Sequence, residues 1–291
     1  MTATNGQASL ELSQFRMDSI RFESGISSTG PVIVIIGRRG AGKSVLINDI
    51  LFHHQHIPSG VVVSGTEICN HNFGKIIPKS FIHNEYSSGI VENILRRQYF
   101  MAKHRDQEML AYNTTNVDSR IFFILDDCLY DDGWCRDKMM RMLFMNGRHW
   151  QIMLIISMQA PLGIPPALRT NVDYVFIMRA SNLKDKKKIY DNYCACFPTF
   201  EVFLQVLDSC TNNFEMLVVN NTVQSNRLQD IVSWYKAALH PPFRLFSEEI
   251  WQTCNFESTD TLPSFCGAGQ YDPTRFKKKG NTTNMLVKKL K

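Results

Sequence analysis

The stretch VIVIIGRRGAGKSVLIND, residues 32–49, decides the fold. Five β-branched residues at 32–36 run into Gly37. The spacing Gly37-x-x-x-x-Gly42-Lys43-Ser44 follows at once, ahead of a helical pattern that begins near Val45. A glycine-rich turn between a buried strand and a helix lets successive backbone N–H groups point inward, and the helix adds the positive end of its dipole. Together they make a nest for a phosphate chain. On this reading Gly37, Arg38, Arg39, Gly40, Ala41, Gly42, Lys43, Ser44 and Val45 wrap a nucleotide. Lys43 charges its β and γ phosphates, and the Ser44 hydroxyl ligates magnesium. ATP and Mg2+ are the expected cofactors.

Such a loop needs an acidic partner at the end of another buried strand. IFFILDDC, residues 121–128, supplies it: five apolar residues, then Asp126 and Asp127. Asp126 is expected to hold the magnesium, and Asp127 to accept the proton of the attacking water or to orient it. The plainer reading is an Asp pair capping the next helix, for which Asp131 and Asp132 are the better-placed candidates. A third polar group is expected on a strand between the acidic strand and the phosphate loop. Within QIMLIISMQAPLGIPPALRTNVDYVFIMR, residues 151–179, Ser157 and Gln159 sit at the strand's end. Gln159 would sense the γ phosphate and position water; the plainer reading is a backbone cap. Arg169 suits a finger reaching a neighbouring subunit's nucleotide, with a salt bridge to Asp173 as its structural alternative and Arg179 as the fallback finger.

The 291 residues, 44% of them hydrophobic, suffice for one large core. β-branched runs at 32–36, 60–64, 121–125, 151–157 and 172–178 alternate with helical patterns at 42–54, 90–105 and 133–145. This is the rhythm of a mostly parallel α/β sheet. Helices are also expected at 183–193, 199–210 and 227–239, with a strand at 214–219. The expected organisation is a flexible segment 1–30, an ATPase domain 31–254 and a flexible basic tail 255–291. The formal charge of +5 favours a polyanionic partner only weakly. None of the 8 cysteines forms a C-x-x-C pair, and Cys194 and Cys196 are one residue apart, so free thiols in a reducing compartment are expected. The N-terminus lacks the basic and apolar regions of a secretion signal, and no apolar run approaches the roughly 20 residues of a membrane span.

The sequence resembles the genome-packaging ATPases of the nucleocytoplasmic large DNA viruses, a branch of the FtsK and HerA motor superfamily. The motifs that carry the likeness are GRRGAGKS, VVVSGTE, IFFILDDC and SMQAPLGIPPALRTNVDYVF, between about Val32 and Arg179, with weaker likeness to near Trp251. The resemblance implies a three-layer RecA-like P-loop NTPase of the ASCE type with Lys43 and Ser44 as the Walker A residues. It further implies Asp126 and Asp127 as the Walker B pair and Gln159 as the sensor. Implied too are a homo-oligomeric ring, double-stranded DNA gripped nonspecifically through its phosphates, a capsid or portal and membrane component, and work in the viral factory of the host cytoplasm or in the virion. Much of the wider superfamily has Glu after the Walker B Asp, so Asp127 is one methylene short of that pattern.

Two other classes compete. A nucleotide or polynucleotide kinase also needs the loop and an Asp, and Arg38 and Arg39 keep it open, although no arginine-rich lid is evident. A non-hydrolysing nucleotide-binding scaffold would not need the full polar set. A regulatory GTPase would require Asn-Lys-x-Asp, and Asn182-Leu183-Lys184-Asp185 has the wrong order. For DNA, the visible charge lies in Lys184, Lys186, Lys187 and Lys188 and in the tail lysines 277, 278, 279, 288, 289 and 291; the plainer reading of each cluster is solvated surface or, for the tail, a nuclear-import address. Met139, Met140, Met142 and Met145 read as core filling. His53, His54 and His56, with no carboxylate evident nearby, read as capping or exposed.

Overall fold

Apolar residues on consecutive positions need cover on both faces, and strand β1 (Val32–Ile36) receives it. Val32, Val34 and Ile36 join one core cluster, and Ile33 and Ile35 the other. The computed structural model of the chain describes residues 10–25, 27–128, 134, 136–161 and 164–254. These fall within the unit Met1–Ser258; the unit Thr259–Lys291, and with it the expected lysine tail, lies outside the described residues.

The remaining strands are β2 (Gly60–Ser64), β3 (Ile82–His83), β4 (Ile121–Asp126), β5 (Ile152–Met158), β6 (Tyr174–Ile177), β7 (Glu215–Asn220) and β8 (Val232–Lys236). They form one sheet in the order β3-β2-β4-β5-β1-β6-β7-β8. Pairing is parallel from β3 to β6 and antiparallel across β6–β7 and β7–β8. The helices are α1 (Lys43–His53), α2 (Glu67–Asn70), α3 (Ser88–Tyr112), α4 (Lys138–Asn146), α5 (Pro166–Arg169), α6 (Leu183–Tyr193), α7 (Phe200–Cys210), α8 (Leu228–Ile231) and α9 (Glu248–Cys254). One face of the sheet is covered by α3, α4, α6 and α7, the other by α1 with the segments around Phe73 and Leu245. This gives three layers.

Four expectations need correction. First, the described part of the N-terminal segment is no loose lead-in. Phe15, Met17, Ile20 and Phe22 are all at most 6% exposed. The Phe15 amide donates to Trp234 O at 2.8 Å and the Trp234 amide to Ser13 O at 3.1 Å. The Phe15 ring meets Tyr174, Phe176 and Tyr235 edge-on, with centroids 5.5 to 6.0 Å apart. Arg120 Nη1 donates to Phe22 O at 2.7 Å. Each apolar residue docks singly along an irregular path, so no periodicity betrays the segment. Phe15→Ala is expected to lower unfolding free energy by about 3 kcal/mol in urea titration, the range for an emptied aromatic site; an unchanged midpoint would make the segment peripheral.

Second, the helix expected at 227–239 is only the single turn α8, and β8 follows. Ile231, Val232 and Tyr235 suit helical spacing, but pairing opposite β7, with Val232 across from Val219 and Trp234 from Leu217, overrides it. Third, α4 starts at Lys138 and is capped by Asp137, which accepts from the Met139 amide at 2.8 Å; Asp131 and Asp132 lie outside the described residues. Of its methionines Met140 is buried, whereas Met142 and Met145 face outward, 37% and 58% exposed. Fourth, the histidines do have a carboxylate nearby, one helical turn back. Asp49 lies 3.4 Å from His53 Nδ1. His54 is buried, its two ring nitrogens facing Ile50 O at 2.7 Å and Ile20 O at 3.0 Å, and burial lowers its pKa.

Candidate nucleotide site

The turn between β1 and α1 places Gly40 at φ 77° and Gly42 at φ 101°. Side chains with a Cβ rarely adopt these left-handed conformations, so the motif's glycines are what let the chain curl there. Gly42 is the N-cap of α1 and no side chain caps that end, in contrast to α4, α6 and α7, whose caps are Asp137, Asn182 and Thr199. The first-turn residues of α1, with the positive end of its dipole, line a cavity instead of being capped by a side chain.

Lys43, 7% exposed, folds back over the loop: its Nζ donates to Gly37 O at 3.0 Å and pairs with Asp127 Oδ2 at 3.1 Å. Gln159 Nε2 donates to the same Asp127 oxygen at 3.1 Å. Asp127 itself has φ 47°, which swings its carboxylate out of the line of β4. Asp126 ends β4 and is buried, in register with Ser64 of β2 on one side and Ser157 of β5 on the other. Ser157 Oγ donates to its Oδ1 at 2.5 Å and Ser64 Oγ to its Oδ2 at 3.1 Å. Burial raises the Asp126 pKa; the Ser157 hydroxyl draws it back, and the neighbouring Asp127 charge raises it again. Asp126 and the Ser44 hydroxyl line the same cavity. As hard oxygen donors, with the carboxylate fixed by two hydroxyls, they fit a magnesium ion.

That cavity, about 750 Å³, is lined by residues 39–45 of the loop, by Asp126, Asp127 and Gln159, and by Thr66 and Phe214 among others. Its size is in the range of small-molecule sites. The strand predicted to lie between the phosphate loop and the acids does so: β5 pairs with both β1 and β4. Gly37 and Arg38, expected in the nucleotide-binding loop, do not line the cavity: Gly37 is the carbonyl partner of Lys43, and exposed Arg38 donates to Ser181 Oγ at 3.3 Å.

The two candidate finger arginines lie apart from this site. Arg169 ends α5, donates to Asn192 Oδ1 and has its guanidinium 5.7 Å from the Tyr193 ring centroid. The alternative Arg169–Asp173 pair does not form, because Asp173 is taken by Arg148 and by the Val32 amide at 2.8 Å. Arg179 donates to Asn212 Oδ1 at 2.5 Å. Neither arginine lines the cavity. In the lysine cluster on α6, Lys186 pairs with Asp208 at 2.5 Å and Lys187 with Asp191 at 3.0 Å, so intramolecular carboxylates offset part of its charge. Cys69, Cys128, Cys194, Cys196, Cys210 and Cys254 are free thiols, and burial pushes the Cys128 thiol up to about 12.

Sequence reasoning missed Ser64, although VVVSGTE ends its apolar run on a hydroxyl just as IFFILD ends on a carboxylate. It also missed Phe214, Met216 and Leu239, which antiparallel β7 and β8 bring to the cavity and which no phosphate-loop spacing announces.

A mostly parallel three-layer sheet in which β5 separates the phosphate-loop strand from the acid-bearing strand is the RecA-like P-loop NTPase fold of the ASCE type. The chain belongs to a family of proteins of nucleocytoplasmic large DNA viruses. It is 36% identical over 208 residues to the uncharacterized protein L437 of Acanthamoeba polyphaga mimivirus, covering 71% of this chain and 72% of that one. It is 39% identical over 208 residues to the uncharacterized protein 075L of Invertebrate iridescent virus 6, 71% of this chain and 75% of that one. With the uncharacterized protein 015R of Frog virus 3 it shares 31% over 229 residues, 78% and 67% of the two chains. No protein-family model matches the sequence. Among solved structures, the genome packaging NTPase B204 of Sulfolobus turreted icosahedral virus 2 with ATP-gammaS superposes with a TM-score of 0.48 at 15% identity over 72% of this chain and 98% of that one. The pCW3 conjugation coupling protein TcpA with ATPgS gives 0.48 at 14% identity over 72% and 60%. Among the described residues no helix is long and apolar enough to cross a membrane.

Proposed function

We propose that this protein is an ATP-hydrolysing motor of the genome-packaging type, moving double-stranded DNA as a homo-oligomeric ring joined to a capsid or portal and membrane component. The observation that carries the hydrolytic half is a single cavity into which Lys43, Ser44, Asp126, Asp127 and Gln159 all converge. Loop amides and Lys43 hold the phosphates, Gln159 and Asp127 position water, and Asp127 takes its proton. Magnesium, held by Ser44 and Asp126, would neutralise charge developing on the phosphate oxygens. Arg169, half-buried at the C-terminal end of α5, is the finger proposed to complete a neighbour's site, with Arg179 as the alternate.

The DNA half is supported by the motif resemblance and by the family's occurrence in large DNA viruses. Exposed Lys184 and Lys188 and the lysine tail are the proposed phosphate contacts, and the viral factory or virion the place of work. Long duplex DNA is expected to raise steady-state ATP turnover severalfold, with short oligonucleotides giving little response. Turnover indifferent to duplex length would reject the motor; phosphate transferred to a nucleoside or polynucleotide end instead of water would establish the kinase.

A further inference from the structure

The cavity also carries apolar side chains. Besides the polar cluster it is lined by Phe214 and Met216, at the start of β7, and by Ala237 and Leu239, just beyond β8, with Lys236 beside them. Phe214 and Leu239 are among the most exposed large apolar side chains of the described residues, at 69% and 85%. Phe214 is held there at some conformational cost: Asn213 and Phe214 both have left-handed backbones, with φ 51° and 64°. The turn sets the aromatic ring beside the phosphate loop, so that a Cβ on Gly42 would stand 3.8 Å from the ring's Cδ1.

The Leu239 side is anchored to the helix that heads the phosphate site. Asp49 of α1 is fully buried, and its Oδ2 accepts from Tyr235 Oη at 2.6 Å and from the Ala238 amide at 3.0 Å. Its Oδ1 lies 2.6 Å from His240 Nε2, and the His240 ring stacks on Phe52 of α1 with centroids 3.7 Å apart. Residues 238 and 240 are thus tied down on either side of Leu239.

The geometry points to Phe214 and Leu239 as the seat of the nucleobase, the flat ring stacking on the base and Leu239 covering the apolar side. An exposed aromatic fixed in a strained turn, continuous with a phosphate-binding loop inside one cavity, matches a ligand that joins a polyphosphate to a planar ring. The inference rests on the reading of this cavity as a nucleoside triphosphate site. It assigns the base a subsite outside the Gly37–Val45 loop.

Calorimetric titration of the full chain with ATP and, separately, with inorganic tripolyphosphate tests it. Phe214→Ala and Leu239→Asn, both at exposed positions, are expected to weaken ATP binding, the former by at least about fivefold as for loss of a base–aromatic stack. Tripolyphosphate affinity should stay within about twofold in both. Phe214→Trp should hold ATP at least as well as wild type. Unchanged ATP affinity in Phe214→Ala, or equal losses for ATP and tripolyphosphate, overturns the base subsite while leaving the phosphate site standing. Wild-type protein that binds neither ligand overturns the phosphate-site reading itself.

Discussion

Replacing Lys43 with alanine is expected to lower ATP turnover by about a thousandfold or more, a loss in line with removing a central phosphate-stabilising charge. The side chain is buried at the loop and spans Gly37 O and Asp127. Its loss strips the phosphates of their lysine and leaves Asp127 with only the neutral Gln159 donor on its Oδ2. Both effects act in the same direction, since an uncompensated carboxylate repels the incoming triphosphate. Nucleotide binding should therefore weaken along with turnover, while the urea midpoint, read on the same sample, reports whether the fold survives. Robust hydrolysis by this variant would remove the phosphate loop from the reaction.

Asp127→Asn separates binding from chemistry. Asparagine shares the tolerance of aspartate for a left-handed backbone, so the φ of 47° is not a reason for the variant to misfold. The amide removes both the basicity and the charge that pairs with Lys43. ATP affinity should hold or improve, because Lys43 no longer divides its charge between Asp127 and the phosphates. Turnover should fall by about a hundredfold to ten-thousandfold, the range for a lost general base. Equilibrium binding paired with single-turnover hydrolysis reads the two effects apart; near-normal hydrolysis would pass the proton-accepting role to another group. The left-handed turn at Asp127 places its carboxylate 3.1 Å from Lys43 Nζ and from Gln159 Nε2.

How much of this could be read beforehand depended on whether a local pattern carried the information. The strands at 32–36 and 60–64 and the helix at 183–193 match their observed bounds, because each is a run bounded by clear turn or cap signals. The parallel strands β1, β2, β4, β5 and β6 follow from their buried apolar runs, and the meeting of Lys43, Asp126, Asp127 and Gln159 from polar groups at the ends of β1, β4 and β5; two-residue β3 left no such run. What escaped depended on tertiary pairing. β8 takes its identity from β7 rather than from its own ambiguous spacing. Phe15 and Phe22 are buried by irregular docking that leaves no period to detect. Ser64 acquires meaning only once β2 lies in register with Asp126. Asp49 looked like an ordinary helical residue until the chain returned some 190 positions later to hydrogen-bond with it.

The two borders of the sheet bear on how copies of this chain can associate. At one border β3 is only two residues long, and at the other β8 is already bridged by the chain's own residues around Gln14. An unprotected border strand invites a second molecule to continue the sheet; here one is too short to serve as a template and the other is shielded. A homo-oligomer of the kind proposed would therefore join through helices and loops, leaving the backbone ladder of each sheet intact.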